Sequence, residues 1–361
     1  MSEDIIGQET GTQPGEVREE ILQENAALTE ENKKLKNKKR LGHEARTNRW
    51  GYVFIAPFVL VFCTFNLWPT IYTFMLSFTD LRGLRSDFTF IGLANFAKLV
   101  KDQYFWGALG NTFIIWSVNF IPQLGLALVL SIWLSDIQLN LVGKSVFRAI
   151  IYMPNLLTAV SVALLFRSIF GFNAHVNSPA NQFLRAFNIQ DTVILDGVAV
   201  KEAFNFFRSA AFSRGLVAFI QWWMWYGYTL IILMAGITSI PISLYESASI
   251  DGANSRQTAW HITLPLLRPI MLYILVTSAI GGMQMFDIPF LLTDMMGGPD
   301  FKIRTTTVYQ YNIAFGRGAN DYAYGAAISI GIFVVTIFLA LLIFFFLQDR
   351  SEIKKKKGGA V

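Results

Sequence analysis

Six stretches of this chain run without a charged side chain for the length of a membrane crossing. They are Trp50 to Thr79, Gln103 to Ser135, Ala149 to Phe166, Gly215 to Tyr245, Pro269 to Phe286 and Tyr322 to Gln348. A helix rises about 1.5 Å per residue, so ~20 apolar residues cover the hydrocarbon core of a bilayer. The pattern predicts six spanning helices, the first over about 50–78 and the third over about 147–170. The polar stretches between them read as loops, and the fold class is an all-α polytopic membrane protein. The segment 171–214 is the longest of these loops, moderately polar and rich in Phe, with one amphipathic helix expected near Ala203 to Phe212.

Charge placement adds a direction. Lys33, Lys34, Lys36, Lys38, Lys39, Arg40, Arg46 and Arg49 precede the first run, and Lys354 to Lys357 follow the last. Lys and Arg are retained on the cytoplasmic side of membranes, so both ends are predicted to be cytoplasmic, as six spans require. Residues 1–49 then form a cytoplasmic extension, 50–349 the six-span domain and 350–361 a basic cytoplasmic tail. The extension is polar up to about Glu16 and is expected to be disordered there. Ile21, Leu28 and Leu35 then recur every seven residues with Asn25 and Asn32 between them. That fits a short coiled coil and a solvated charged helix alike. The basic run beside it suits anionic lipid.

Composition narrows the chemistry. A hydrophobic share of 53% with 15% charged residues belongs to the membrane class, and the net charge of +5 does not argue for nucleic acid, because the bases lie where a membrane protein places them. Cys63 is the one cysteine, so neither a disulfide framework nor a thiolate metal site is expected. His43, His175 and His261 have no metal-ligand spacing, and no acid–base pair can be placed, so no catalytic residue and no metal are predicted. Gly143-Lys144-Ser145 imitates a phosphate-binding loop, but position 138 is Gln where that motif needs Gly. The first apolar run is too long for a cleaved signal region.

The stretch 241–265 interrupts two apolar runs with a compact polar pattern. Pro241 suits the first turn of a short helix, and Ile242, Tyr245 and Ser249 fall on one face at helical spacing. Gly252 can take the left-handed conformation that ends a helix. Asn254 and Gln257 are spaced as a capping pair for a second short helix, which Ala259, Trp260, Ile262 and Thr263 continue and Pro265 is expected to help stop.

The order Glu246-Ser247-Ala248-Ser249-Ile250-Asp251-Gly252-Ala253, followed by Trp260, Ile262 and Leu264-Pro265, resembles the EAA loop of ATP-binding-cassette importer permeases, with Ser247 replacing the usual first Ala. Ile91 to Phe96, Phe105 to Thr112, and Thr293 with Gly297-Gly298-Pro299, Thr306, Tyr309 and Ala314-Phe315 resemble stretches of carbohydrate-class permeases, in particular the first permease of maltose and glycerol-phosphate type systems. The resemblance spans roughly residues 50 to 350 and implies a six-span type I importer bundle in the plasma membrane. It also implies an ATPase-docking role for Glu246, Ala248, Asp251, Gly252, Ala253, Ile262 and Pro265. The implied partners are a second homologous permease, an ATPase dimer, an extracytoplasmic sugar-binding protein and membrane lipid. ATP and Mg would be bound by the ATPase, and this chain would bind no cofactor and hydrolyse nothing. The loop 171–214 is longer than is usual in that family.

Polar groups at membrane depth need partners or water. Asn119, Asn155, Gln221, Gln284 and Asp287 lie in the apolar runs beside Trp222, Trp225, Met283 and Phe286. One reading makes them hydrogen-bonding glue between helices. The other makes them the lining of a substrate pathway, which the resemblance favours because the family binds sugar about halfway through the membrane. Gln221 and Trp225, four apart, and Gln284 and Asp287, three apart, are predicted to share helix faces. The alternatives to an ATP-driven importer are a secondary transporter or channel working without ATP, and a membrane-embedded enzyme. Neither internal repeats with interrupted helices nor convergent titratable groups support them.

Overall fold

The computed structural model describes residues 51–83, 87–135, 143–171, 178–187, 191–195, 198–202, 204–293, 296–316 and 320–347, with 28, 30, 33, 34, 36, 189 and 318. The tail 350–361 and most of the 1–49 extension, including Ile21, Asn25, Asn32 and Leu35 of the heptad pattern, lie outside the described residues. Leu28, Glu30, Lys33, Lys34 and Lys36 are helical, and Lys34 pairs with Glu30 at 3.9 Å.

Met1–Tyr72 and Thr73–Val361 form separate units. Helix α1 (Gly51–Leu76) carries apolar side chains on all faces and contains a π turn at Cys63–Leu67, before Pro69. The second unit contains α2 (Ala94–Lys101), α3 (Gln103–Ser135), α4 (Lys144–Tyr152), α5 (Ala159–Phe170) and α6 (Pro179–Ala186). A hairpin of β1 (Asp191–Leu195) and β2 (Val198–Glu202) follows, antiparallel with Val193 opposite Val200. Then come α7 (Ala210–Thr238), α8 (Ile242–Ile250), α9 (Ser255–Thr258), α10 (Arg268–Met283), α11 (Asp287–Leu292), α12 (Thr306–Phe315) and α13 (Tyr322–Leu347). Among the described residues, five helices are long and apolar enough to cross a membrane, and six if one bent pair counts as a span. The six-span helical reading holds, and the one hairpin among the described residues lies in the loop 171–214.

Three expectations need correction. The third span is not one straight helix. Residues Ser145–Leu156 and Ala159–Phe170 meet at 84°. Pro154 sits in a 3-10 turn (Met153–Leu156), and the Thr158 side chain caps the new helix by accepting from the Ser161 N–H. Both residues favour a restart over continuation. No separate amphipathic helix forms near Ala203 to Phe212. That stretch is a short 3-10 turn, and Ser209 then caps the fourth span directly. Pro265 does not stop its helix either. A π turn at Ala259–Thr263 precedes it, and the helical path runs on through Leu266 to a bend at Leu267. The π turn has already displaced the regular bonding pattern, so the missing Pro265 N–H costs little.

α3 and α7 run against each other along their length. Apolar side chains from α3, α7 and α10, including Phe120, Leu230, Leu233, Leu267 and Ile274, form one buried cluster. A second gathers Ile115, Val162, Val217, Ile220, Ile288 and Ile303 around α5 and α11. A third joins Leu99, Phe105 and Met283 to Tyr309, Tyr324 and Ile328. Helix faces packed this way leave the polar span residues directed into the space between the clusters.

Candidate functional site

The fifth span supplies the key local geometry. Its helix ends at Met283, the chain crosses Gln284, Met285 and Phe286 in non-helical conformation, and α11 restarts at Asp287. A break inside a bilayer leaves backbone carbonyls without helical partners. Thr305 and Thr307 donate their hydroxyls to the Met285 carbonyl at 2.8 and 2.6 Å, and Thr306 donates to Met283 at 3.4 Å. Gly282 has no room for a side chain, because the Trp116 indole lies where a Cβ would go. That indole donates to the Ser278 hydroxyl at 3.1 Å and stacks on Phe120.

A cavity of about 470 Å³ opens at this break. Asn119, Asn155, Gln221, Trp225, Gln284, Phe286 and Asp287 all line it, together with Trp116, Gln123, Tyr228 and Ser278. Two predicted residues do not. Met283 is fully buried in the third cluster, and Trp222 stacks on Tyr226 at 5.7 Å. Gln284 and Asp287 meet in the cavity through the chain break, not through a shared helix face.

The lining divides by hydrogen bonding. Gln123 donates to the Thr229 hydroxyl at 2.7 Å, and Asn155 donates to the Met224 carbonyl at 3.2 Å, so both tie helices together. Asn119 is buried with its carbonyl oxygen unpartnered among the described residues. Gln284 and Asp287 are exposed, and Gln221 is half-buried. Unsatisfied amides and a carboxylate beside aromatic faces provide what polyhydroxylated solutes need: donors, acceptors and a flat apolar surface.

The stretch 241–265 forms a second feature. α8 ends in a Schellman motif: Gly252, at φ +74°, donates to the Ser249 carbonyl at 3.1 Å, and Ala253 donates to Ala248 at 2.9 Å. Asn254 and Gln257 form a reciprocal capping box, both bonds 2.9 Å. The Tyr245 hydroxyl meets that of Thr263 at 3.2 Å and joins the two helices. Glu246, Asp251, Gly252 and Pro265 are exposed, Ala253 and Ile262 half-buried, and Ala248 buried against the knob itself. Ile250 is 86% exposed and Trp260 63%. Both stand in the stretch that resembles the EAA loop, yet neither is among the residues to which that resemblance gives a docking role. Their outward presentation on the knob singles them out.

A third group of polar residues lies on the other side of the bundle. Asp102 caps α3 by accepting from the Tyr104 N–H at 2.9 Å, and it also accepts from the hydroxyls of Tyr309 (2.5 Å) and Tyr324. Burial works against its charge, but the hydroxyl and backbone bonds outweigh it and hold the carboxyl below the usual value. Burial, with the bond to Asp102, raises the Tyr309 hydroxyl. Arg304 lies buried over the rings of Phe301, Tyr309 and Tyr104, 4.1, 4.7 and 5.3 Å from their centroids, and burial lowers its guanidinium.

Residues 123–354 match the family model of the binding-protein-dependent transport system inner membrane component. The chain belongs to this permease family. It is 30% identical over 301 residues to a lactose transport system permease protein of Rhizobium radiobacter, covering 83% of this chain and 95% of that one. It is 31% identical over 294 residues to an arabinooligosaccharides transport system permease protein of Bacillus subtilis, covering 81% and 86%. Its fold matches a chain in the crystal structure of a bacterial alginate ABC transporter in complex with an alginate pentasaccharide-bound periplasmic protein, at TM-score 0.69 and 20% identity, covering 86% of this chain and 97% of the other. The resemblance to sugar-importer permeases read from the sequence is borne out. The matched segment contains the knob at 241–265 and much of the cavity lining, while Trp116 and Asn119 precede it.

Proposed function

We propose that this permease carries a sugar or oligosaccharide across the plasma membrane, through the cavity at the break in the fifth span. The observation that carries the reading is the convergence of Asn119, Gln221, Gln284 and Asp287 with Trp225 and Phe286 on one water-accessible cavity. Its relatives act on lactose and arabinooligosaccharides, which agrees with such a lining. Sugar arrives from an extracytoplasmic binding protein. A second, homologous permease completes the pathway. The knob at 241–265 seats in an ATPase subunit that binds ATP and Mg, and both chain ends are cytoplasmic. Closure of the ATPase dimer draws the knobs together and switches the cavity between the two sides of the membrane. Glu246 and Asp251 present negative charge to basic groups on the ATPase, and Ile250 and Trp260 fill its apolar recess.

Reconstitution tests the whole reading. The permease pair, ATPase and binding protein in nanodiscs should hydrolyse ATP faster when a transported sugar is present, and vesicles should take up that sugar only with ATP. Uptake that persists without the ATPase subunit would instead support an ATP-independent carrier.

A further inference from the structure

We infer that Asp287 makes the cavity a charge filter that admits uncharged oligosaccharides and turns away uronic acids, an inference that rests on the sugar-path reading above. Among the described lining residues, Asp287 is the one carboxylate, and no lysine, arginine or histidine accompanies it. Its side chain is exposed and, among the described residues, forms no hydrogen bond or ion pair. Arg167 of α5 reaches the same short helix one turn beyond Asp287, but its guanidinium donates to the Leu291 carbonyl at 3.0 Å and does not line the cavity.

The consequence follows from what each solute brings. A carboxylate only accepts hydrogen bonds, and sugar hydroxyls donate them, so an uncharged sugar can pair with Asp287. A uronic acid brings a second negative charge into a cavity where apolar walls weaken screening and no cation among the described lining residues balances it. The alginate transporter that shares this fold imports an acidic polysaccharide. The sign of the accepted cargo is therefore set by the lining and not by the fold.

Gly281 lines the cavity, and a Cβ added there meets nothing within 4 Å. Gly281→Cys, with Cys63→Ala removing the one native cysteine, is made in the complete complex in nanodiscs. Cationic and anionic methanethiosulfonates of matched size are compared, with rates normalised to a free thiol. The cationic reagent should react about tenfold faster, the effect of one unit charge across a partly hydrated cavity. Asp287→Asn should abolish most of that preference. Equal rates with Asp287 present, or a preference for the anion created by cations of the second permease, overturn the filter. Lactose and arabinotriose should shield the thiol at 281, whereas digalacturonate should do so only in Asp287→Asn. Shielding by digalacturonate equal to that by the uncharged sugars overturns the filter and leaves the sugar path standing. An intact charge preference with shielding by neither uncharged sugar overturns the sugar path and the substrate class with it.

Discussion

Gly252 and Asp102 show what a single residue can fix. Nothing lies within 4 Å of a Cβ at Gly252, so a side chain there is opposed by the backbone φ of +74° alone. Gly252→Val should cost about 1–2 kcal/mol locally and disturb the Schellman turn. The protein should insert normally, yet sugar-stimulated ATP hydrolysis should fall sharply. Unchanged hydrolysis and uptake would remove the docking assignment. This turn was legible in the sequence because all its determinants, from Tyr245 to Gln257, are local. Asp102 was not, since its hydroxyl partners stand 207 and 222 residues away. Its carboxyl is held below the usual 3.8 in the folded protein, so its contribution is complete above that value and is lost as pH falls through the folded one. Asp102→Asn should therefore lower the melting temperature by a few degrees at neutral pH, with the gap to wild type closing below about pH 4. Parallel melting curves across that range would refute the linkage.

At the scale of elements, the sequence located the spans and missed where they bend. Long uncharged runs report hydrophobic thickness, and that signal survives a kink. The interruption at Gln284–Phe286 depends on which neighbours satisfy the freed backbone groups, and those neighbours are distant in sequence, whereas the 84° turn at Leu157–Thr158 follows from the nearby Pro154 and Thr158. The polar candidates Asn119, Asn155, Gln221, Gln284 and Asp287 stand out by depth in the membrane, which is why they reach one cavity. Met283 and Trp222 stand next to those polar residues in sequence and face elsewhere. Gln284 offers the direct test of pathway against glue. Its amide is exposed to the cavity and holds no helix. Gln284→Leu should lower uptake per assembled complex about fivefold, the loss of roughly one hydrogen bond, with expression and ATPase association unchanged. Fewer complexes with unaltered transport per complex would assign it to packing.

For the molecule as a whole, the order of spans and loops predicts which surfaces face outward. Residues 178–187 should be reachable from outside the cell. Asn181 is a poor reporter, because it is buried and its side chain brackets Phe204 from both its N–H and its carbonyl. Ala186 is exposed, so Ala186→Cys in a Cys63→Ala background should react with a membrane-impermeant maleimide on intact cells. Labelling only after lysis would invert the topology. The interrupted fifth span also bears on how the chain is made. The carbonyls at Met283 and Met285 are satisfied by Thr305, Thr306 and Thr307, which leave the ribosome later. Until those threonines arrive, α10 and α11 enter the bilayer with exposed polar backbone, at a cost of several kcal/mol per group. A nascent chain ending at Met296 should therefore remain at the translocon or be degraded, whereas one extended past Phe315 should be released into lipid. Insertion of this span is thus timed by a segment that crosses nothing itself.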